Sequence, residues 1–295
     1  MRKSFYVDVS KTRLYVETIG EGYPLFIVHG GIGFNMKIFG DYLDILAKNF
    51  KLIYFDQRGQ GKSDKIAMDE ITLENVAEDI VELANKLDLK QYAVLGHSLG
   101  GFVALTLAVN KPEAASHIIL LNTVPNLVGR NEYIKKCNNE VKDPEMIKNL
   151  EKASALRFKS FELYQVDLEK ANDLFHESYK YTFKREFIHL NDSERKKWLK
   201  VWDEFKLDTN VTFRCWGKLA AEYDLDDLER RLKQIKVPVL IISGENDFNC
   251  DPKRSIDMNE LIPNSKLYIL EKAGHYSYVE KPKEIAKYIK DIIIN

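Results

Sequence analysis

The sequence predicts an α/β fold: a mostly parallel sheet with helices on both faces. Three observations lead there. Compact apolar runs at residues 24–28, 51–55, 91–95, 117–121, 237–242 and 266–270 have the composition of strands buried on both faces. Helical patterns alternate with these runs, and that alternation gives parallel pairing with helices covering the sheet. Gly96-His97-Ser98-Leu99-Gly100 lies between one strand-type run and a buried helical run at 101–109. It reads as a sharp strand–turn–helix that lifts a serine above the end of the sheet.

The elements follow in chain order. Residues 5–9 and 13–18 are rich in β-branched and aromatic side chains with partial alternation, which suits an antiparallel start. The runs at 24–28 and 51–55 each end in a glycine-rich loop, His29-Gly-Gly-Ile-Gly33 and Asp56-Gln-Arg-Gly-Gln-Gly61. Val76, Ile80, Leu83, Ala84 and Leu87 recur at helical spacing over 73–87, with Thr72 placed to cap the N-terminus. The helix after Gly100 stops at Asn110 and Pro112, and a last helix spans about 283–293. Residues 125–236 break the rhythm: they are charged, aromatic and mainly helical, and hold Trp198, Trp202 and Trp216. This predicts a core domain of 1–124 and 237–295 with a helical cap, or lid, inserted at 125–236. Trp198 and Trp202 share a helix face, as residues four apart do, which suits packing; other aromatics of the insert could line a pocket.

Composition excludes several function classes. A formal charge of −1 on 295 residues, with no long basic run, disfavours a nucleic-acid partner. No run is long enough to span a bilayer, and the N-terminus lacks the apolar core of a signal peptide, so no membrane role and a cytoplasmic location are expected. Cys137, Cys215 and Cys250 are odd in number and far apart, which suggests neither disulfides nor zinc. Gly59-Gln-Gly-Lys-Ser63 ends like a phosphate-binding loop, but Asp56 occupies its first glycine position. Gly31-Ile-Gly33 starts like a dinucleotide fingerprint, yet Met36 stands at its third glycine. No cofactor and no metal are therefore expected, and nothing in the sequence sets an oligomeric state.

The remaining signals concern nucleophilic chemistry. A serine hydroxyl needs a base to take its proton, and the base needs an acid to fix its tautomer. Asp247 lies just past the run at 237–242 and His275 just past that at 266–270, where the carboxyl ends of parallel strands open into a crevice. Asp247 stands further clear of its strand than Glu245. Asn122 and Thr123 follow the strand at 117–121, the other common acid position, and neither can serve. His29 and His97 read as structural; His117, His176 and His189 read as packing or surface residues. The oxyanion of a tetrahedral intermediate needs fixed donors, expected from the backbone N–H groups of Leu99 and Gly31.

His29-Gly-Gly-x-Gly33, Asp56-Gln-Arg-Gly-x-Gly-x-Ser63, Gly96-His-Ser-x-Gly-Gly101, Gly244-x-x-Asp247 and Gly274-His275 together resemble the α/β-hydrolase superfamily along nearly the whole chain. In style they are most similar to its proline iminopeptidase group. The resemblance implies the α/β-hydrolase fold and a small-molecule or short-peptide substrate. That group usually reads His-Gly-Gly-Pro-Gly, whereas Ile32 replaces the proline, and Phe248 stands where some members carry an acid that recognises the substrate amine. Glu162, Glu177, Glu186 and Glu222 are the candidate acids of the cap. The expected activity is hydrolysis of a small ester, lactone or amide through an acyl-enzyme on Ser98, with His275 as base and Asp247 orienting it. Proline iminopeptidase activity is the alternative, and a non-catalytic ligand-binding protein on the same scaffold a third.

Overall fold

The computed structural model describes residues 1–187, 190–222 and 225–294, without the side chains of 217, 218, 220–222, 225 and 226. His189 and the Glu222 side chain therefore lie outside the described residues. Eight strands form one sheet: β1 (Lys3–Val9), β2 (Thr12–Ile19), β3 (Tyr23–Val28), β4 (Phe50–Phe55), β5 (Ala93–His97), β6 (His117–Leu121), β7 (Val239–Gly244) and β8 (Ser265–Leu270). Their spatial order is β1-β2-β4-β3-β5-β6-β7-β8. β2 pairs antiparallel with both β1 and β4, while β3 to β8 run parallel. The antiparallel start and the parallel remainder are as the residue patterns predict.

The apolar runs lack a polar face because both faces are buried. Side chains alternate across a strand. Phe26, Val28, Val94, Ile118, Leu120, Val239 and Ile241 accordingly enter one core. Leu25, Ile27, Leu95, Ile119, Leu121, Leu240 and Ile242 enter the other. The first core is completed by α1 (Leu73–Lys86), α2 (Leu99–Asn110) and α9 (Pro252–Leu261); the second by α10 (Pro282–Ile293). Thr72 caps α1 as expected, accepting from the Asn75 N–H at 3.1 Å.

Between β6 and β7 lie α3 (Arg130–Asn139), α4 (Pro144–Leu163), α5 (Leu168–Glu186), α6 (Asp192–Glu204), α7 (Thr209–Glu222) and α8 (Leu225–Arg231). Trp198 and Trp202 of α6 are fully buried, and Phe183, Phe187 and Tyr276 pack around them, edge-on or tilted. They join this helical segment to the loop after β8. The structure differs from the predicted boundaries at the elbow. β5 continues through Gly96 and His97, which pair with Leu120 and Leu121, and α2 begins at Leu99. The glycine and histidine disguise the last strand residues, because a parallel ladder fixes backbone rather than side-chain type.

Candidate active site

Ser98 sits between β5 and α2 with φ 52° and ψ −120°, a conformation side chains rarely adopt. The turn is held by its surroundings. The Ser98 N–H donates to the Leu121 carbonyl at 3.0 Å, and the Ser98 carbonyl accepts from Thr123 Oγ1 at 2.7 Å. A Cβ on Gly96 would collide with the Gly100 carbonyl, and one on Gly100 with the Val28 carbonyl, so both positions require glycine. Such over-determination lets a strained residue persist.

Asp247 and His275 come from the loops after β7 and β8, and both are buried. His275 Nδ1 donates to Asp247 Oδ2 at 2.9 Å, with Oδ1 at 3.1 Å. The N–H groups of Asn249 and Cys250 each donate to Asp247 Oδ1 at 2.9 Å, and Asn122 Nδ2 donates to Oδ2 at 2.9 Å. Burial alone would raise the Asp247 pKa; the His275 charge and these donors outweigh it and hold the carboxyl below its ordinary value. Burial likewise works against a charged His275, but Asp247 overcomes it and lifts the imidazole well above the ordinary histidine range. Glu245, by contrast, is exposed and accepts from the Lys272 N–H at 3.2 Å.

Ser98, Leu99, Gly31 and His275 line one cavity of about 710 Å³. Leu99 opens α2, so its N–H has no intrahelical carbonyl to bond. Gly31 has φ 71°, and Phe34 packs where its side chain would be. The loop that carries Gly31 is braced from the Asp56 motif: the Gly33 N–H donates to Gln60 Oε1 at 2.7 Å and Gln57 Nε2 to the His29 carbonyl at 2.7 Å. Asp56 itself accepts from the Met36 N–H at 2.9 Å and the Lys62 N–H at 2.7 Å. Burial keeps His29 neutral, with its pKa lowered to about 4, and His97 likewise, lowered to about 3. His97 Nε2 lies 3.0 Å from the His275 carbonyl, which anchors the histidine loop.

Donor atoms of Asp247, Cys250 and His275 converge within 4.8 Å. The Asp247 oxygens are already engaged by His275, Asn122 and two N–H groups, so the set fits a hydrogen-bonded ion pair better than a metal-ligand shell. Among the described residues, no helix is long and apolar enough to cross a membrane.

Sequence reasoning passed over Asn122 as a partner of Asp247 and the arginines of the cavity, and named Glu186 among four cap acids without placing it. Asn122 cannot be the acid, yet it binds Asp247 and the Gly274 carbonyl (3.1 Å) from a left-handed backbone, φ 48°, and Ser277 Oγ donates to its Oδ1. Its position after β6 was the available signal. Glu186, at the end of α5, is buried in the cavity wall and accepts from Asn249 Nδ2 at 3.0 Å; burial lifts its pKa to about 7. Glu162 and Glu177 are exposed. Arg130, Arg157 and Arg185 also line the cavity, as does Trp216, whereas Trp198 and Trp202 do not.

Several known proteins are similar over nearly the full length. A "Putative carbamate hydrolase RutD" of Pseudomonas savastanoi pv. phaseolicola is 23% identical, covering 92% of this chain and 93% of its own. A "Proline iminopeptidase" of Heyndrickxia coagulans is 24% identical over 98% and 97% of the two chains. The solved esterase EaEST from Exiguobacterium antarcticum superposes with a TM-score of 0.75 at 22% identity, covering 99% of this chain and all of that one. The family model for the alpha/beta hydrolase fold matches residues 23–282, and the chain belongs to that family.

Proposed function

We propose that this chain is a serine hydrolase that cleaves a small ester, lactone or amide through an acyl-enzyme on Ser98. The observation that carries the reading is Ser98, held at positive φ in the wall of the cavity that His275 also lines, with His275 tied to Asp247 at 2.9 Å. Because Asp247 accepts from Nδ1, Nε2 is the nitrogen left to act as base. Ser98 Oγ attacks the carbonyl carbon and its proton passes to His275 Nε2. The Leu99 and Gly31 N–H groups hold the oxyanion. Collapse breaks the bond to the leaving group, which takes the proton from His275. Water then attacks the acyl-enzyme by the same route, releasing the acid and restoring Ser98. In this reading, residues 125–236 form the cap, closing over the cavity and excluding water from the acyl-enzyme.

The test is fluorophosphonate labelling with turnover of short para-nitrophenyl esters. The wild type is expected to label at Ser98, and Ser98→Ala to lose roughly 10⁴-fold or more in kcat. Unlabelled, inactive wild type would overturn the proposal. Glu186 favours a second reading: a carboxylate in the cavity wall could pair with the free amine of an N-terminal proline. Preferred cleavage of proline anilide over the esters would establish that alternative instead.

A further inference from the structure

Nine of the eleven arginines fall into two groups. Arg2, Arg13, Arg58, Arg230, Arg231 and Arg254 each pair with a carboxylate. Arg130, Arg157 and Arg185 line the cavity, and no ion pair engages any of them among the described residues. Each instead lies over an aromatic ring: Arg130 over Trp216 at 5.6 Å, Arg157 over Tyr179 at 4.7 Å and Arg185 over Phe248 at 3.9 Å. A guanidinium packed on a ring by its face keeps its N–H edge free for a planar two-oxygen acceptor.

Their hydrogen bonds leave capacity unused. Arg157 Nε donates to Ser178 Oγ at 3.0 Å, while Arg130 donates through Nε to the Asn249 carbonyl at 3.1 Å and through Nη2 to Asn249 Oδ1 at 3.3 Å. Arg185 Nη1 donates to Asn138 Oδ1, another cavity residue, while its Nη2 is buried with no partner among the described residues. A buried donor left unsatisfied is costly, and a charged one more so. Glu186 acts on Arg157 and Arg185 only through its longer-range charge. Three guanidinium groups thus share the cavity wall with one carboxylate.

We propose that Arg185, with Arg157 and Arg130, forms a subsite for a carboxylate, so that the substrate is an anionic ester or amide rather than a neutral or cationic one. The substrate assignment rests on the hydrolase reading above; the anion site does not. A singly charged carboxylate suits the cavity better than a doubly charged phosphate, because Glu186 shares the wall and repels added negative charge. It also separates this chain from an amine-selective peptidase, since a substrate ammonium would meet the three arginines.

Two arms test the proposal. In the first, para-nitrophenyl hydrogen succinate, glutarate and adipate are compared with the butyrate, valerate and hexanoate esters of matching length. The wild type is expected to favour a half-ester by roughly tenfold or more in kcat/KM, the effect of one charged hydrogen bond. Arg185→Gln should collapse that ratio, and the exposed control Arg230→Gln should keep it. In the second, glutarate and methyl phosphate are tested for thermal stabilisation of Ser98→Ala, which needs no turnover. Stabilisation by glutarate that Arg185→Gln removes supports the subsite even if no ester is cleaved, which would sink only the hydrolase reading. Equal or better turnover of the neutral esters, without glutarate stabilisation, overturns the subsite and leaves the hydrolase reading standing. Stabilisation by methyl phosphate alone overturns the carboxylate assignment.

Discussion

The loops at the sheet's carboxyl edge and the helices α3–α5 meet at one cavity but hold their polar groups in opposite ways. On the sheet side the Asp247–His275 pair is fully answered. Asp247 receives His275, Asn122 and two N–H groups, and the strained Ser98 backbone is pinned from β6 and Thr123. On the helical side Arg130, Arg157 and Arg185 rest on rings without carboxylate partners among the described residues, and burial lifts the Glu186 pKa to about 7. A satisfied network has one geometry, which suits chemistry that tolerates little displacement. An unsatisfied set of charges gains most when a ligand supplies what is missing, which suits selection.

The contrast breaks most severely at Asp247. Asp247→Asn keeps the shape but removes the charge that lifts His275 and can leave the wrong tautomer, so kcat is expected to fall roughly 10³–10⁴-fold. The pH profile carries the sign. His275 must be neutral to act as base, and Asp247 raises its pKa, so wild-type kcat/KM should rise with pH through a midpoint above the ordinary histidine value. In Asp247→Asn that midpoint should move to lower pH. A midpoint unchanged in the variant would separate the acidic limb from this pair.

Asn122 tests whether the network, rather than Asp247 alone, sets the geometry. Asn122→Gly keeps the positive φ without strain and deletes the bond to Asp247 Oδ2. Its kcat per labelled serine is expected to drop by roughly tenfold, about the value of one hydrogen bond to a charged group, with KM little changed. If Asn122 only supports folding, fluorophosphonate titration will show fewer active sites of unchanged kcat.

The same contrast explains what could be read from sequence. Backbone-dictated positions leave marks: Gly96 and Gly100 are required by close approach, and the runs ending at Val28, Leu121 and Gly244 are apolar because the sheet is buried twice. Ser98, Asp247 and His275 could be named because strand ends fix where loops open. The β5 boundary was misplaced by two residues because Gly96 and His97 look like loop while their backbones pair with β6. Arg130, Arg157 and Arg185 left no mark, and Glu186 was one of four candidate acids that the sequence could not tell apart. A charged residue on a charged helix resembles its neighbours, and only the packing of α3, α4 and α5 against the sheet edge selects which ones face inward.

Glu186 gives the smallest and most discriminating effect. Its folded pKa of about 7 lies above the ordinary 4.5, so the folded protein holds this proton more tightly than the unfolded chain. The associated stability is fully present below about pH 4.5 and is lost as pH rises through about 7. Glu186→Gln fixes the uncharged form and can still accept from Asn249 Nδ2. It should therefore stabilise the protein at pH 8 by about 1–3 kcal/mol and change little at pH 5. Denaturant unfolding at the two pH values measures the difference. Equal effects at both would mean that the arginines hold Glu186 ionised across this range, so that one of the three positive charges on the helical wall is already answered.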